Sequence, residues 1–292
     1  MRAHRILNIL SCVLLVAAVY VSAGEPVHVL VANDDGIDSP GLEAIAAVIA
    51  ADPAYRVTVV APAHQQSVSG HGLITRTEVK VVEHEKVAGC TAWSVDATPA
   101  TVARVALSAL LVEDPPDLIV SGINRGENDG LGAWTSGTVA VAREGSYDGI
   151  PSLAVSLQLD WSNPQPDFAA AARWAKPVID AVRDNGLPPG VYLNVNVPMD
   201  TTAIHGYRVA RMGLDLSEEA RYVLVRADSD GTRWFKSRWK PPLITTPGGD
   251  THALSGGWVT IAPLGLDQTV ETAIPHLQQL ELPVPVLEAP AP

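Results

Sequence analysis

The stretch 27–41 constrains this chain more than any other. It begins with the valine-rich run Val27-His28-Val29-Leu30-Val31-Ala32, which reads as a buried strand. The run stops at Asn33-Asp34-Asp35-Gly36, and Leu42 to Ala51 then reads as an alanine-rich helix. Strand, acidic loop and helix form the opening unit of an α/β sheet, in which ligands bind beyond the carboxyl ends of the strands. Two neighbouring carboxylates at such a place repel each other, and a hard cation holds both ionised at least cost. An ordinary polar turn is the competing reading, because Asp and Gly fill turns in every fold class.

The same rhythm continues. Tyr55 to Ala61 is a second strand, ended by Pro62 and followed by the polar loop Ala63 to Gly72. Thr75 to Val87 alternates weakly, as a flanking hairpin does, and Trp93 to Asp96 is a short strand. Thr98-Pro99 opens a helix, since threonine caps and proline suits the first helical position. Asp117 to Asn124 is the third strand-to-loop unit, and Thr138 to Gly145 is a helix behind Ser136-Gly137. Ile150 to Leu157 is a strand, Phe168 to Asn185 a long helix ended by Gly186 and Pro188, and Val191 to Val197 another strand. Beyond Gly206 the pattern turns to β structure, at Arg208 to Met212, Tyr222 to Arg226, Trp234 to Trp239 and Trp258 to Pro263. The expected architecture is a three-layer Rossmann-like α/β fold with a mostly parallel sheet. A C-terminal β-rich extension carries late tryptophans suited to a dimer contact.

The chain has 292 residues and a formal net charge of −12, which excludes a protein that coats nucleic acid with a basic face. A small anionic substrate is compatible with that charge if a metal supplies the local positive field. The amino terminus carries Arg2 and Arg5, an apolar run from Ile6 to Val21, and the small residues Ser22-Ala23 before Gly24. This is the pattern of a secretory signal peptide. It predicts an exported, periplasmic protein with no stable membrane span after cleavage; an uncleaved membrane anchor is the alternative. The domain division is then a signal peptide at 1–23, a Rossmann-like catalytic core at 24–205, a β-rich extension with the final core strand at 206–280, and a disordered tail at 281–292. Without the leader, Cys90 is the sole cysteine, so no intrachain disulfide can form.

Three of these loops offer hard oxygen donors: Asp34 and Asp35 from the first, Ser67 from the second, Asn124 from the third. Strand ends of a parallel sheet point the same way, so these groups can converge into a shell for one divalent ion, Mg²⁺ or Mn²⁺. Ser136-Gly137-Thr138 opens a helix, where free backbone N–H groups and hydroxyls suit a phosphate; an ordinary capped helix is the simpler reading. A cation beside an anion pocket is what metal-assisted phosphate-ester hydrolysis requires.

These residues resemble the SurE-type survival-protein nucleotidases. The likeness rests on Asn33-Asp34-Asp35-Gly36 with Pro40-Gly41, then Ala61-Pro62, Gln66-Ser67, Gly70-His71, Thr98-Pro99 and Ser121-Gly122-Ile123-Asn124. It continues through Gly126 and Asn128, Ser136-Gly137-Thr138-Val139, Arg143-Glu144-Gly145, Gly149 to Ser156, Asn194 to Pro198, Asp250 and Gly257 to Leu264. The resemblance implies a divalent-metal-dependent nucleotidase that hydrolyses nucleoside 5′- or 3′-monophosphates, with a β extension that makes a homodimer or a dimer of dimers. By match, Asp34, Asp35, Ser67 and Asn124 hold the metal, the two aspartates are catalytic, and Asn128, Ser136, Gly137 and Thr138 meet the phosphate. The chain departs from the family pattern at Thr101, where an acid is common, at Glu127, where proline is expected, and at Thr135, where an aromatic is usual and Trp134 stands one place earlier.

His64 and His71 have the ionisation range for acid–base work, but a structural or exposed role is the expectation for both. Arg125 and Arg143 are candidate phosphate clamps, with Arg143 expected to pair on its own helix near Glu144 and Asp148; Glu144 is a candidate base, with a surface helix carboxylate as an equally good reading. Alternatives to the nucleotidase are an exported broad-specificity phosphomonoesterase and a non-catalytic periplasmic binding protein for a phosphorylated ligand.

Overall fold

The computed structural model describes residues 25–160, 165–215, 221–238, 244 and 246–280. The expected signal peptide at 1–23, the expected tail at 281–292 and Trp239 lie outside the described residues. In chain order the first elements are β1 (Val27–Ala32), α1 (Pro40–Ala50), β2 (Tyr55–Pro62), β3 (Val81–Val87), β4 (Cys90–Val95) and α2 (Pro99–Val105). Then come β5 (Leu118–Arg125), α3 (Gly137–Tyr147), β6 (Ser152–Leu157), α4 (Phe168–Asn185) and β7 (Val191–Val197). The later part holds β8 (Tyr207–Val209), β9 (Arg221–Ala227), β10 (Arg233–Arg238), α5 (Asp250–Ser255), β11 (Val259–Gly265) and α6 (Ile274–Leu277).

Nine strands form one sheet in the order β3-β4-β2-β1-β5-β6-β7-β11-β8. From β4 to β7 every neighbouring pair is parallel; β3 joins β4 antiparallel at one edge and β11 joins β7 antiparallel toward the other. The weakly alternating segment at 75–87 therefore contributes one strand, β3, whose hairpin partner is β4. The chain winds outward from β1 through β2 to β4, then returns to the other side of β1 at β5. That reversal leaves a crevice between the ends of β1 and β5, the usual place for a ligand in an open α/β sheet.

The parallel strands read as continuous apolar runs because helices cover both faces. Helices α1 and α4 pack together on one face, over Val29, Val31, Val120, Val155 and Val195. Helices α2 and α3 pack on the other, over Leu30, Val60 and Ile119. In α1 the buried residues Leu42, Ile45, Ala46 and Ile49 recur at helical spacing, so one stripe meets the sheet. Burying each of the leucine and isoleucine side chains among them stabilises the fold by roughly 1.5–3 kcal/mol. Strands β8 and β11 extend the main sheet, whereas β9 and β10 form a separate antiparallel hairpin with exposed Tyr222, Leu224, Val225, Trp234 and Phe235. Among the described residues no helix is long and apolar enough to cross a membrane.

Candidate active site

The loop after β1 is built before any ligand arrives. Asn33 is fully buried, and its amide nitrogen donates to the Gly36 carbonyl and to Ser39 Oγ, each at 2.9 Å. Ser39 in turn accepts from the Leu42 amide and caps α1. Gly36 takes φ +102°, a conformation that side chains rarely adopt, which lets the chain turn sharply behind the two carboxylates.

Asp34 and Asp35 are then tied to the neighbouring loops. The Asp34 carbonyl accepts from the Gln66 amide at 2.7 Å, which brings the loop carrying Ser67 against the end of β1. The Asp35 carboxylate accepts from the Arg125 amide at 2.9 Å, which brings the end of β5, and Asn124 with it, across the crevice. Asn124 is buried, and its amide nitrogen donates to the Gly126 carbonyl at 2.7 Å, which fixes the side chain and leaves Oδ1 as its acceptor atom. Ser67 is exposed, and its oxygen accepts from Gln65 Nε2 at 3.0 Å. The third tie runs to α3: Thr138 Oγ1 donates to Asp34 Oδ1 at 2.6 Å. The helix sits this close because residue 137 is glycine; a Cβ there would lie 2.8 Å from Asp34 Cβ and 2.7 Å from Pro99.

The electrostatics follow from that packing. Burial drives Asp34 up to about 6; the hydroxyl of Thr138 opposes the rise and the charge of Asp35 adds to it. Burial also raises Asp35, against the Arg125 amide and its guanidinium. A buried carboxylate pushed that far, next to a second carboxylate, is a site short of positive charge. The donor set fits a hard divalent ion: two carboxylates, one amide oxygen fixed by its own hydrogen bond, and one hydroxyl. Among the described residues no cluster of three or more His, Cys, Asp or Glu has metal-holding geometry, so the neutral oxygens are needed to complete a shell.

The residues expected to meet phosphate are placed differently from one another. Ser136 caps α3 by accepting from the Val139 amide at 3.1 Å, so its own hydroxyl proton is free to donate. The Gly137 amide is one of the helix's unpaired amino-terminal donors. Thr138 is engaged by Asp34. Asn128 is held in the interior, donating its amide to Ser156 Oγ and its backbone N–H to Asn196 Oδ1, while Asn194 donates to its carbonyl.

Behind the site lies a group whose placement differs from the sequence expectation. Glu144 is not a surface carboxylate; it is buried, and it accepts from His71 Nε2 and from Arg104 Nε. Arg143 does not pair along its helix either: its Nε donates to the Tyr192 hydroxyl at 2.9 Å and its Nη1 approaches His71 Nδ1 at 3.1 Å. With Nδ1 facing a guanidinium, the His71 proton sits on Nε2 and points at Glu144. His71 thus fastens the far end of the Ser67 loop to α3. His64 is exposed. The spacing Arg143-Glu144 gives no sign of which residue faces inward, because α3 is buried around most of its circumference.

Fold and site together define the class: a doubly wound α/β protein with its polar groups gathered on loops at the carboxyl ends of β1, β2 and β5, beside one helix start. The chain belongs to the survival protein SurE family, whose model matches residues 29–219. It is 36% identical over 245 residues to the 5′-nucleotidase SurE of Clostridium botulinum, covering 83% of this chain and 94% of that protein. It is 40% identical over 256 residues to 5′-nucleotidase SurE 1 of Thermus thermophilus, covering 87% and 97%. The crystal structure of the SurE protein from Aquifex aeolicus superposes with a TM-score of 0.73 at 31% identity, covering 86% of this chain and 98% of that one. These matches correct one expectation. The assignment to the periplasm rested on residues 1–23 alone, and those residues lie outside both the described structure and the family match, which begins at residue 29.

Proposed function

We propose that this chain is a divalent-metal-dependent phosphomonoesterase that hydrolyses nucleoside 5′-monophosphates to nucleoside and phosphate. The observation that carries the reading is the pair Asp34–Asp35 at the switch point of the sheet, with Asn124 and Ser67 on loops hydrogen-bonded to that pair's own loop. Membership of the SurE family and the name 5′-nucleotidase borne by its relatives agree with it.

Asp34, Asp35, Asn124 and Ser67 would hold one Mg²⁺ or Mn²⁺. The ion, when bound, supplies Lewis-acid polarisation of the phosphoryl group and charge stabilisation at the departing oxygen. The chain's own contribution is positioning. Thr138 keeps one Asp34 oxygen fixed and the Arg125 amide keeps one Asp35 oxygen fixed, so both carboxylates are held in place for the ion. Ser136 and the Gly137 amide offer donors to a phosphoryl oxygen at the start of α3. The exposed apolar residues of the β9–β10 hairpin make it the surface for self-association into a homodimer, apart from the core at 24–205.

The test is phosphate release from 5′- and 3′-AMP by the full chain with Mn²⁺ or Mg²⁺, and again after chelation. Release that stops with chelator and returns with metal is the expected result. Release unaffected by chelator, or none with any metal, would reject the assignment.

A further inference from the structure

We infer that Ser69 is a substrate-binding residue of this site, a hydroxyl that donates to the phosphoryl group. The inference rests on the phosphomonoesterase reading above and names a group that reading does not use.

Ser69 is held on both sides. Its own amide donates to the Gln66 carbonyl, and Gln66 donates to the carbonyl of Asp34. The next residue, Gly70, donates its amide to the Thr135 carbonyl at 3.0 Å, one residue before the cap of α3. The Ser69 hydroxyl therefore cannot wander with the loop. It lies against the start of the helix: a Cβ on Gly137 would stand 2.9 Å from Ser69 Oγ and 2.8 Å from Asp34 Cβ. Donor, carboxylate and helix terminus meet within one side chain's reach.

In that position Ser69 Oγ is buried and has no hydrogen-bond partner among the described residues. A buried hydroxyl without a partner is destabilising, and such groups are uncommon in native folds. The residue before it, Val68, has φ +62°, a region a β-branched side chain seldom enters. Val68 is itself exposed, so no packing gain of its own explains that conformation. The consequence of the turn at Val68 is that Ser69 faces inward. Two unfavourable features in adjacent residues, next to the helix start where a phosphoryl group would sit, are what a site awaiting an acceptor shows.

The donor count at α3 points the same way. Thr138 is committed to Asp34, which removes one of the expected phosphate contacts. Ser136 and the Gly137 amide remain, and Ser69 supplies a third donor from a different loop. A phosphoryl group with three non-bridging oxygens presents more acceptors than the helix start alone can meet.

The experiment compares wild type with Ser69→Ala and Ser69→Cys, all as the full chain. Cysteine keeps the volume and loses the strong donor, so it carries the test if alanine disturbs the loop. Three quantities are measured: the Kd for inorganic phosphate by calorimetry in the presence of Mn²⁺, kcat/KM for 5′-AMP, and the Kd for Mn²⁺ alone. Phosphate affinity and kcat/KM are expected to fall about 10-fold or more in both variants, the effect of losing one hydrogen bond to a charged group. Mn²⁺ affinity is expected to stay within about twofold, and the ligand-free melting temperature to hold or rise, because a buried orphan hydroxyl has been removed. Unchanged phosphate affinity and turnover in folded variants would overturn the inference, as would a loss confined to melting temperature. A wild type that neither releases nor binds phosphate would instead overturn the active-site reading and the inference with it.

Discussion

Asp34→Asn is expected to make the metal-free protein more stable while ending its activity. Burial moves the Asp34 carboxyl from 3.8 to about 6. A shift of roughly two units corresponds to about 3 kcal/mol of folded-state cost at neutral pH, at about 1.36 kcal/mol per unit. The sign follows from proton binding. Between those two values the folded state holds a proton that the unfolded state has released, so stability falls as pH rises through this window. Below about pH 4 both states are protonated and the cost is absent; above the folded value it is complete. Asparagine is neutral throughout, and its Oδ1 can still accept from Thr138, whose hydroxyl lies 2.6 Å from the present oxygen. At about 2–4 °C per kcal/mol for a chain near this size, chelated Asp34→Asn should melt about 6–12 °C above chelated wild type near pH 8. The gap should close by about pH 3, where the wild-type carboxyl is largely protonated in both states. Added Mn²⁺ should raise the wild-type melting temperature and leave the variant unmoved. The assay is differential scanning fluorimetry across pH, with and without chelator. Coincident melting curves in mildly alkaline buffer, or a gap that persists undiminished into acid, would show that Asp34 is not held ionised against its surroundings.

Thr138→Val removes the hydroxyl that opposes the rise at Asp34; its carboxyl should climb further in metal-free protein, by about 1–2 units, as read by carboxyl carbon NMR. The same variant should bind Mn²⁺ about 10-fold more weakly near pH 6, because the ion competes with a more tightly held proton. Glu144→Gln leaves the partly exposed Arg104 and His71 without their buried anion; a loss of about 1–3 kcal/mol is expected by urea unfolding. A double-mutant cycle with His71→Asn should show that most of the loss is shared between the two. Trp234→Lys with Phe235→Asp on the exposed hairpin should leave turnover per chain intact and convert a dimer to monomers in sedimentation velocity, if self-association runs through that surface.

Much of this molecule is legible in its residues alone. Phe168 to Asn185 reads as a helix from its alanine-rich pattern and its glycine stop, and it forms over those residues with Asp167 as cap. Strands β1, β5, β6 and β7 announce themselves as apolar runs because both faces are covered, and a run of that kind has few other uses. The hairpin at β3–β4 is harder to place because its alternation is weak and its outer strand is largely exposed. Sequence periodicity records burial, and an exposed edge strand has little to record. Thr98 has the residue type to cap α2, but its hydroxyl donates to the Gly72 carbonyl at 2.6 Å instead, fastening the same loop that carries Ser69.

The site is legible at the level of loops and illegible at the level of hydroxyl direction. Position along the chain places Thr138 and Ser69 at the crevice, and nothing in the spacing says which oxygen each will face. That choice is made by the strongest unmet acceptor within reach. Asp34 is buried, ionised at a cost, and adjacent to the first turn of α3, so it takes the Thr138 hydroxyl at short range. A neutral phosphate-binding hydroxyl at position 138 would leave that carboxylate with backbone N–H donors alone, a weaker arrangement for a charge in a low-dielectric site. Ser69 Oγ lies beside the same glycine, and no protein acceptor engages it among the described residues. The division follows from charge: the hydroxyl nearest the permanent anion orients the carboxylate, and the hydroxyl left over is the one available to an anion that comes and goes.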